Sequence, residues 1–480
     1  MSTPELVRTG TARGRWVLLT TVLGSSVVML DGTVVNVALQ RIGTELDAGF
    51  AGLQWTLNGY TLTLAALILL GGSLGDRFGR RRVFVIGVTW FAAASLLCAT
   101  AQTIEWLVAA RALQGVGGAL LTPGSLALIS ATFDPRDRGA AIGAWSGFGG
   151  IAGAAGPFVG GWLVDAVSWR AVFLVNLPLA AVVIAVALRH VPETRDPTAT
   201  GRIDVAGAAT AALGLAGLTY GLIEQTVWPA VLGAVLMVAF VVVERRSAAP
   251  LVALELFASR LFVAANLVTL AVYAAIGTVF FLLVLQLQVV SGYSPLLAGS
   301  AALPVTLLML LLSARAGRLA QRTGPTLPMT VGPLVAAAGL VLLLRVGPDA
   351  AYLTDVLPGV AVFGLGLSAM VAPLTATVLG AVPDGHAGVA SGVNNAVART
   401  ATLLAVAALP ALVGLGGADY TRPEEFDAGF GAAMLICAGL LVTGALISVL
   451  LVRRPPSDTH PVPVEEHTHC GVSSPASHPR

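Results

Sequence analysis

Fourteen stretches of this sequence are apolar over roughly the ~20 residues a helix needs to cross the hydrocarbon core of a bilayer. They run over 16–39, 54–74, 83–102, 106–131, 140–165, 171–188, 205–223, 228–243, 261–288, 295–314, 326–345, 356–378, 389–414 and 428–452, the eighth being the shortest. Lipid offers no hydrogen bonds to a bare backbone, so each run must satisfy its own amides, and an α-helix does so within one segment. The composition agrees. Only 11% of residues are charged and mean hydropathy is +0.85, whereas soluble domains carry about 25% charged residues. The first run, starting at Trp16, is too long for the apolar core of a secretory signal and reads as a span.

The distribution of positive charge orients the spans. Every basic residue is Arg, and the Arg-bearing loops fall on alternate sides. One side holds Arg8, Arg13 and Arg15, the loops 75–82, 132–139, 189–204, 244–260 and 315–325, and the C-terminal tail. The other holds only Arg41, Arg170, Arg345 and Arg422. Cytoplasmic loops collect Arg and Lys, so an even number of spans with both termini inside is expected. Trp55, Trp106, Trp169 and Trp228 fall near the outer ends of their spans, where indoles sit at the headgroup level.

Several function classes are excluded. With no Lys there is no P-loop, hence no built-in ATPase. A net charge of +2 gives no footprint for nucleic acid. Cys98, Cys437 and Cys470 are too scattered for a metal site or disulfide framework. The tail beyond Pro455 is rich in Pro, Ser and His and is expected to be disordered; its His467-Thr468-His469-Cys470 run reads as chance rather than as a metal site. No metal and no organic cofactor is expected.

The loop Gly72-Ser-Leu74-Gly-Asp76-Arg77-Phe-Gly79 resembles Gly317-Arg-Leu319-Ala-Gln321-Arg322-Thr-Gly324. Both show G-x-L-x-x-R-x-G at the inner end of the second span of a six-span block. Secondary transporters are often built from repeated halves that rock around a central site. The expected organisation is a cytoplasmic N-terminus (1–15), a six-helix bundle (16–189), an inserted helix pair with flanking loops (190–260), a second six-helix bundle (261–452) and a cytoplasmic tail (453–480).

Four motifs in order then carry a resemblance. They are Leu30-Asp31-Gly32-Thr33-Val34-Val35-Asn36 in span one, the Gly72–Arg82 loop, Leu107-x3-Arg111-x2-Gln114-Gly115-x-Gly117-Gly118 in span four, and Gly156-Pro157-x2-Gly160-Gly161 in span five. Minor markers are Trp169-Arg170-x2-Phe173-x2-Asn176-x-Pro178 and Gly292-Tyr293-Ser294-Pro295-x2-Ala298-Gly299. Over residues 15–452 the sequence resembles the fourteen-helix drug/proton antiporters of the major facilitator superfamily (EmrB/QacA type). It departs from them at Gln40, where Pro is usual, at Ala152, where Gly is usual, and after Arg399, where glycines are missing. The resemblance implies an all-α fold of two six-helix halves plus an inserted pair. It also implies a multi-pass protein of the plasma membrane, driven by the proton gradient, exporting small amphipathic molecules and working as a monomer.

Asp31 and Arg111 lie at comparable depth when counted at ~1.5 Å per residue from the outer ends of their spans. An ionisable group inside a membrane is costly and is a functional candidate by default. Loss of water favours a protonated carboxyl and a nearby guanidinium favours an ionised one, opposed influences that suit proton exchange. A static pair that fixes helix packing is the alternative. The resemblance assigns Gly72, Asp76, Arg77, Gly79 and Arg80 to a cytoplasmic gate, with Asp76 pairing Arg80 and capping the thirteenth span near Gly388. It assigns Gly156, Pro157, Gly160 and Gly161 to the helix that seals the outer side, the pattern that separates exporters from uptake carriers. Asn36, Tyr60, Trp145, Phe148, Tyr273, Phe280 and Gln286 are polar or aromatic candidates for the substrate cavity. Glu105, Asp165 and Glu224 read as solvated residues at outer span ends, and Arg399 is an intramembrane cation for which the sequence names no partner. Rival readings are a proton-coupled uptake carrier or uniporter, and a non-transporting sensor on the same fold. No catalytic constellation of an enzyme is present.

Overall fold

The computed structural model describes residues 7–196, 204–247, 250–383, 387–417 and 422–452. Among them are 14 helices long and apolar enough to span a membrane. They are α1 (Ala12–Glu45), α2 (Phe50–Phe78), α3 (Arg80–Ala99), α4 (Ile104–Thr132), α5 (Pro135–Ala166), α6 (Ala171–His190), α7 (Val205–Ile223), α8 (Val227–Arg246), α9 (Arg260–Val289), α10 (Pro295–Thr323), α11 (Thr326–Arg345), α12 (Tyr352–Gly380), α13 (Ala387–Leu412) and α14 (Pro423–Leu451). Each overlaps one apolar run of the sequence. Most overshoot it, because caps and charged turns extend helices beyond the apolar stretch. The Thr11 side chain, for example, accepts from the Gly14 amide and starts α1 five residues before Val17. Two spans are broken at predictable places. Pro178 has no N–H for the Leu174 carbonyl, and α6 interrupts at Val175; Pro304 does the same for Ser300, and α10 interrupts at Ala302.

Helices α1–α6 pack on one another, as do α9–α14, while α8 leans almost wholly on α7. Small residues let these helices approach: at Gly71, Gly117, Gly339 and Gly366 an added methyl would strike the backbone of the neighbouring helix. The two similar loops occupy matching places. Gly79 ends α2 at φ +111°, and Gly324 ends α10 at φ +88°, each with its amide bonded back to the carbonyl four residues earlier. Positive φ is where Gly is at ease, so this explains the last letter of the repeated motif.

Residues 7–11, just before α1, are tied to the first bundle. Val7 pairs with the α4–α5 junction (amide to Thr132 O, 2.9 Å; its carbonyl accepting from Asp134 N, 3.1 Å), and the Thr9 amide donates to Asp137. The tail beyond residue 452, with its His467–Cys470 run, lies outside the described residues.

Candidate functional site

Five helices converge on Asp31. Its side chain, on α1, is fully buried, and so is that of Arg111 on α4. Arg111 Nη1 donates to Asp31 Oδ2 at 2.5 Å and to Gln114 Oε1 at 2.6 Å, and its Nε donates to the Thr56 carbonyl of α2 at 3.0 Å. The other carboxylate oxygen, Oδ1, accepts from Gln114 Nε2 (2.8 Å) and from Asn176 Nδ2 of α6 (3.0 Å). Ser95 of α3 accepts from both of those amides and donates its own proton to the Phe173 carbonyl. The guanidinium lies 4.4 Å from the Tyr60 ring centroid and 5.8 Å from that of Phe173, so aromatic faces complete its shell.

Counting depth along the sequence puts Asp31 and Arg111 level, and the structure brings them together. Such counting does not predict Gln114, Asn176, Ser95 and Thr56 as parts of the site, although Gln114 is one turn beyond Arg111 on the same helix face. A carboxylate held by three donors inside a membrane-spanning bundle is strongly preorganised. Reaching it from water requires the helices around it to part.

The two bundles meet at the end away from the N-terminus, called here the distal end. Gln54 of α2 donates to the Val406 and Ala407 carbonyls of α13 (2.7 and 3.2 Å), and the Phe50 amide to Gly417 (2.8 Å). Gln288 of α9 donates to the Val37 carbonyl of α1 (3.1 Å). Phe50 lies within 5.7 Å of Phe281 and 6.3 Å of Phe426, ring to ring. Asp165 accepts from the Leu296 amide at 3.0 Å and so caps α10 from the opposite bundle; it is not simply a solvated residue. Glu224 likewise has a partner, the Trp55 indole, at 2.8 Å.

The α5 motif divides its glycines between two surfaces. Methyls at Gly156 or Gly160 would meet Thr33 or Val34 of α1, inside the first bundle. A methyl at Gly161 would meet the Leu296 Cα at 2.6 Å, and one at Gly299 would strike the Pro157 carbonyl, both across the two bundles. Away from the distal end the same seam is bare. Between Leu303 and Thr323 only Val305 of α10 is buried, and on the N-terminal stretch of α5 the positions of Gly139, Gly143, Gly147, Gly150 and Gly153 face open space. The second seam, α2 against α13, is covered: Leu215 of α7 packs with Ala66 and Leu403. The structure is thus closed distally and open along α5 and α10 toward the N-terminal end.

The residues expected to form a gate sit at that open end. Asp76 pairs with Arg80 (2.7–2.8 Å), as expected. Glu193 joins them, accepting from the Arg81 and Arg82 amides; a methyl on Gly79 would strike its carboxylate. Arg77 lies in the last turn of α2, with its guanidinium 5.4 Å from the Phe78 ring, and Gly72 faces Pro123. The Asp76 carboxylate bonds Arg80, and the cap expected near Gly388 at the start of α13 is not found among the described residues, which leave out 384–386.

The cavity candidates do not form one group. Asn36, Trp145, Tyr273 and Phe280 are half-buried and Phe148 is exposed, whereas Tyr60 is buried against Arg111. Gln286 is a strut: fully buried, it donates to the carbonyl of Val346, just past α11, and to Asp427 of α14.

The family model described as Major Facilitator Superfamily matches residues 21–406. The chain belongs to the major facilitator superfamily. Among curated proteins it is 36% identical to the probable actinorhodin transporter of Streptomyces coelicolor, over 90% of this chain and 80% of that one. It is also 36% identical to the drug efflux pump JefA of Mycobacterium tuberculosis (89% and 86%) and to the tetracenomycin C resistance and export protein of Streptomyces glaucescens (84% and 76%). Among solved structures, an auto-inhibited POT family peptide transporter superposes with TM-score 0.68 at 18% identity, covering 92% of this chain and 97% of that one. A point mutant of the nucleoside transporter NupG superposes with TM-score 0.64 at 15% identity, covering 91% and 100%. At such identities the likeness is one of fold.

Proposed function

We propose that this chain is a proton-coupled antiporter that exports small amphipathic compounds, such as drugs, antiseptics or secondary metabolites, across the plasma membrane. Its relatives' printed roles, actinorhodin transport, drug efflux and tetracenomycin C export, support export as the direction. The first and last six helices are the rocking halves, with α7 and α8 inserted between them. Both termini are cytoplasmic, so the distal end is the outer face and the open seam admits substrate from the cytoplasm or inner leaflet. The protein works as a monomer, needs no organic cofactor or metal, and is not an enzyme.

One observation carries the mechanism: the only carboxylate deep in the spans among the described residues, Asp31, is locked to Arg111, Gln114 and Asn176 while the distal end is shut. Substrate loads from the open side in this state. Rocking parts the distal contacts, water reaches Asp31 from outside, and protonation there weakens its hold on Arg111. Return carries the proton inward, where the guanidinium displaces it and the network re-forms. Exchange is coupled when proton and substrate favour opposite states, since each shifts the equilibrium only by its differential affinity. The gate at Asp76 and Arg80 and the α5 helix at Gly156, Pro157, Gly160 and Gly161 hold the inner and outer sides in turn.

A second reading has a specific observation behind it. Every oxygen of Asp31 is already bonded, as in a static brace between helices. Everted vesicles separate the two. With Asp31→Asn, antiport predicts loss of proton-driven accumulation with folding intact. Full-rate uphill transport by that variant would leave only the brace.

A further inference from the structure

Arg399 is the thirteenth of the 26 residues of α13 and therefore sits near the middle of a membrane span. It is half-buried. Among the described residues it has neither an ion pair nor a hydrogen bond, and none of its nitrogens is sealed from solvent. A guanidinium at such depth persists only where it faces a water-filled cavity or meets an anion. Its neighbours along α13 show which way it looks. Gly392, two turns before it, lies 3.2 Å (as a would-be methyl) from Leu69 of α2, and Val406, two turns after it, accepts from Gln54 of α2. Thr402, one turn on, donates to the Tyr273 carbonyl of α9. Arg399 thus stands between α2 of the first bundle and α9 of the second, in electrostatic range of the phenols of both Tyr60 and Tyr273.

One further fact bears on the ligand. The one deep carboxylate that could neutralise Arg399, Asp31, is already matched by Arg111. The space between the bundles therefore carries one uncompensated positive charge, with Tyr273 of α9 beside it.

We propose that Arg399 is an anion subsite of the substrate cavity, selecting amphipathic molecules that carry a carboxylate or ionised phenol beside an aromatic body. The guanidinium offers a paired, charge-assisted contact, and the half-buried Tyr273 on the neighbouring α9 offers an aromatic surface for the apolar part. Hydrophobic cations are disfavoured by the same charge. This rests on the reading of the chain as an exporter, and names its substrate class.

The test is binding to the purified full chain in lipid nanodiscs, with 9-anthracenecarboxylate and its methyl ester as a matched pair differing in charge and empty nanodiscs as blank. Wild type is expected to bind the acid at least about 10-fold more tightly than the ester, a difference typical of one charge-assisted hydrogen bond. Arg399→Gln should erase that preference while leaving ester affinity within about twofold, and Arg399→Lys should keep most of it. Equal affinity for acid and ester in the wild type, no binding of the acid, or parallel weakening of both by Arg399→Gln overturns the proposal. The export reading is scored separately, by proton-driven accumulation in vesicles. Selective binding without uphill transport would sink the exporter and leave the anion site standing.

Discussion

Replacing Gly161 by Ala tests the assignment of conformational state most directly. A methyl there would lie 2.6 Å from both the Leu296 Cα and the Pro295 carbonyl oxygen, atoms that cannot rotate aside. Both belong to the opposite bundle, so the clash exists only while the distal end is closed. Overpacking of this kind costs typically about 1–3 kcal/mol. Applied to one state of two, that is a shift of about 5- to 150-fold toward the distally open form. Spin labels at Val167 and Leu353, both exposed at the distal end, report the change as a longer-distance population in double electron–electron resonance. Gly156→Ala is the control, because its methyl would hit Thr33 and the Leu30 carbonyl inside the first bundle. It should lower Tm without moving the distance distribution. If Gly161→Ala leaves the distribution unchanged, or both variants change it alike, the division of the α5 motif into an internal and an interfacial surface is wrong.

Removing one partner from the buried pair, as in Arg111→Gln, should destabilise the protein by about 3–5 kcal/mol, read as a lowered Tm in detergent. Asn176→Leu removes one of three donors to Asp31; it should leave the fold intact and move the pH midpoint of transport, and an unchanged pH profile would place Asn176 outside the coupling network. Asp349→Cys should react with an impermeant thiol reagent from outside intact cells and Arg136→Cys should not; the reverse labelling would invert the orientation proposed above. Burial first, then the nearby Asp355, push the Tyr293 phenol above its ordinary value, so its hydrogen bond to the Ala350 carbonyl should persist past the pH where a free tyrosine ionises. Stability from that bond is present below the free value and lost only as pH rises through the raised one. Tyr293→Phe should therefore abolish the alkaline step in hydrogen exchange of this loop.

The spans are legible in the sequence because a bilayer imposes a length and a polarity on every helix that crosses it, and fourteen runs meet both. Asp31 and Arg111 are legible for the same reason, since charge is conspicuous inside an apolar run and depth can be counted. Neutral polar partners carry no such contrast. Ser95, Gln114 and Asn176 look like any small or amide residue in a membrane helix until the fold places them around one carboxylate. Contacts between distant helices are equally hidden: Asp165 lies at a span end in the sequence, and only the approach of α10 turns it into a cap. Gln286 shows the converse, a plausible cavity residue that the tertiary structure uses as a strut. Which side of the transporter is open is a balance of two packings of one sequence, and no linear pattern encodes it.

The placement of α7 has a mechanical consequence. It rests on α2 and on α13, one from each bundle, like a bandage laid over a hinge. In the rocking proposed above, one of those contacts has to slide, whereas the uncovered side swings free. The proposed motion is then lopsided, a door hung along one edge, with the bare α5–α10 side as the entrance for cargo.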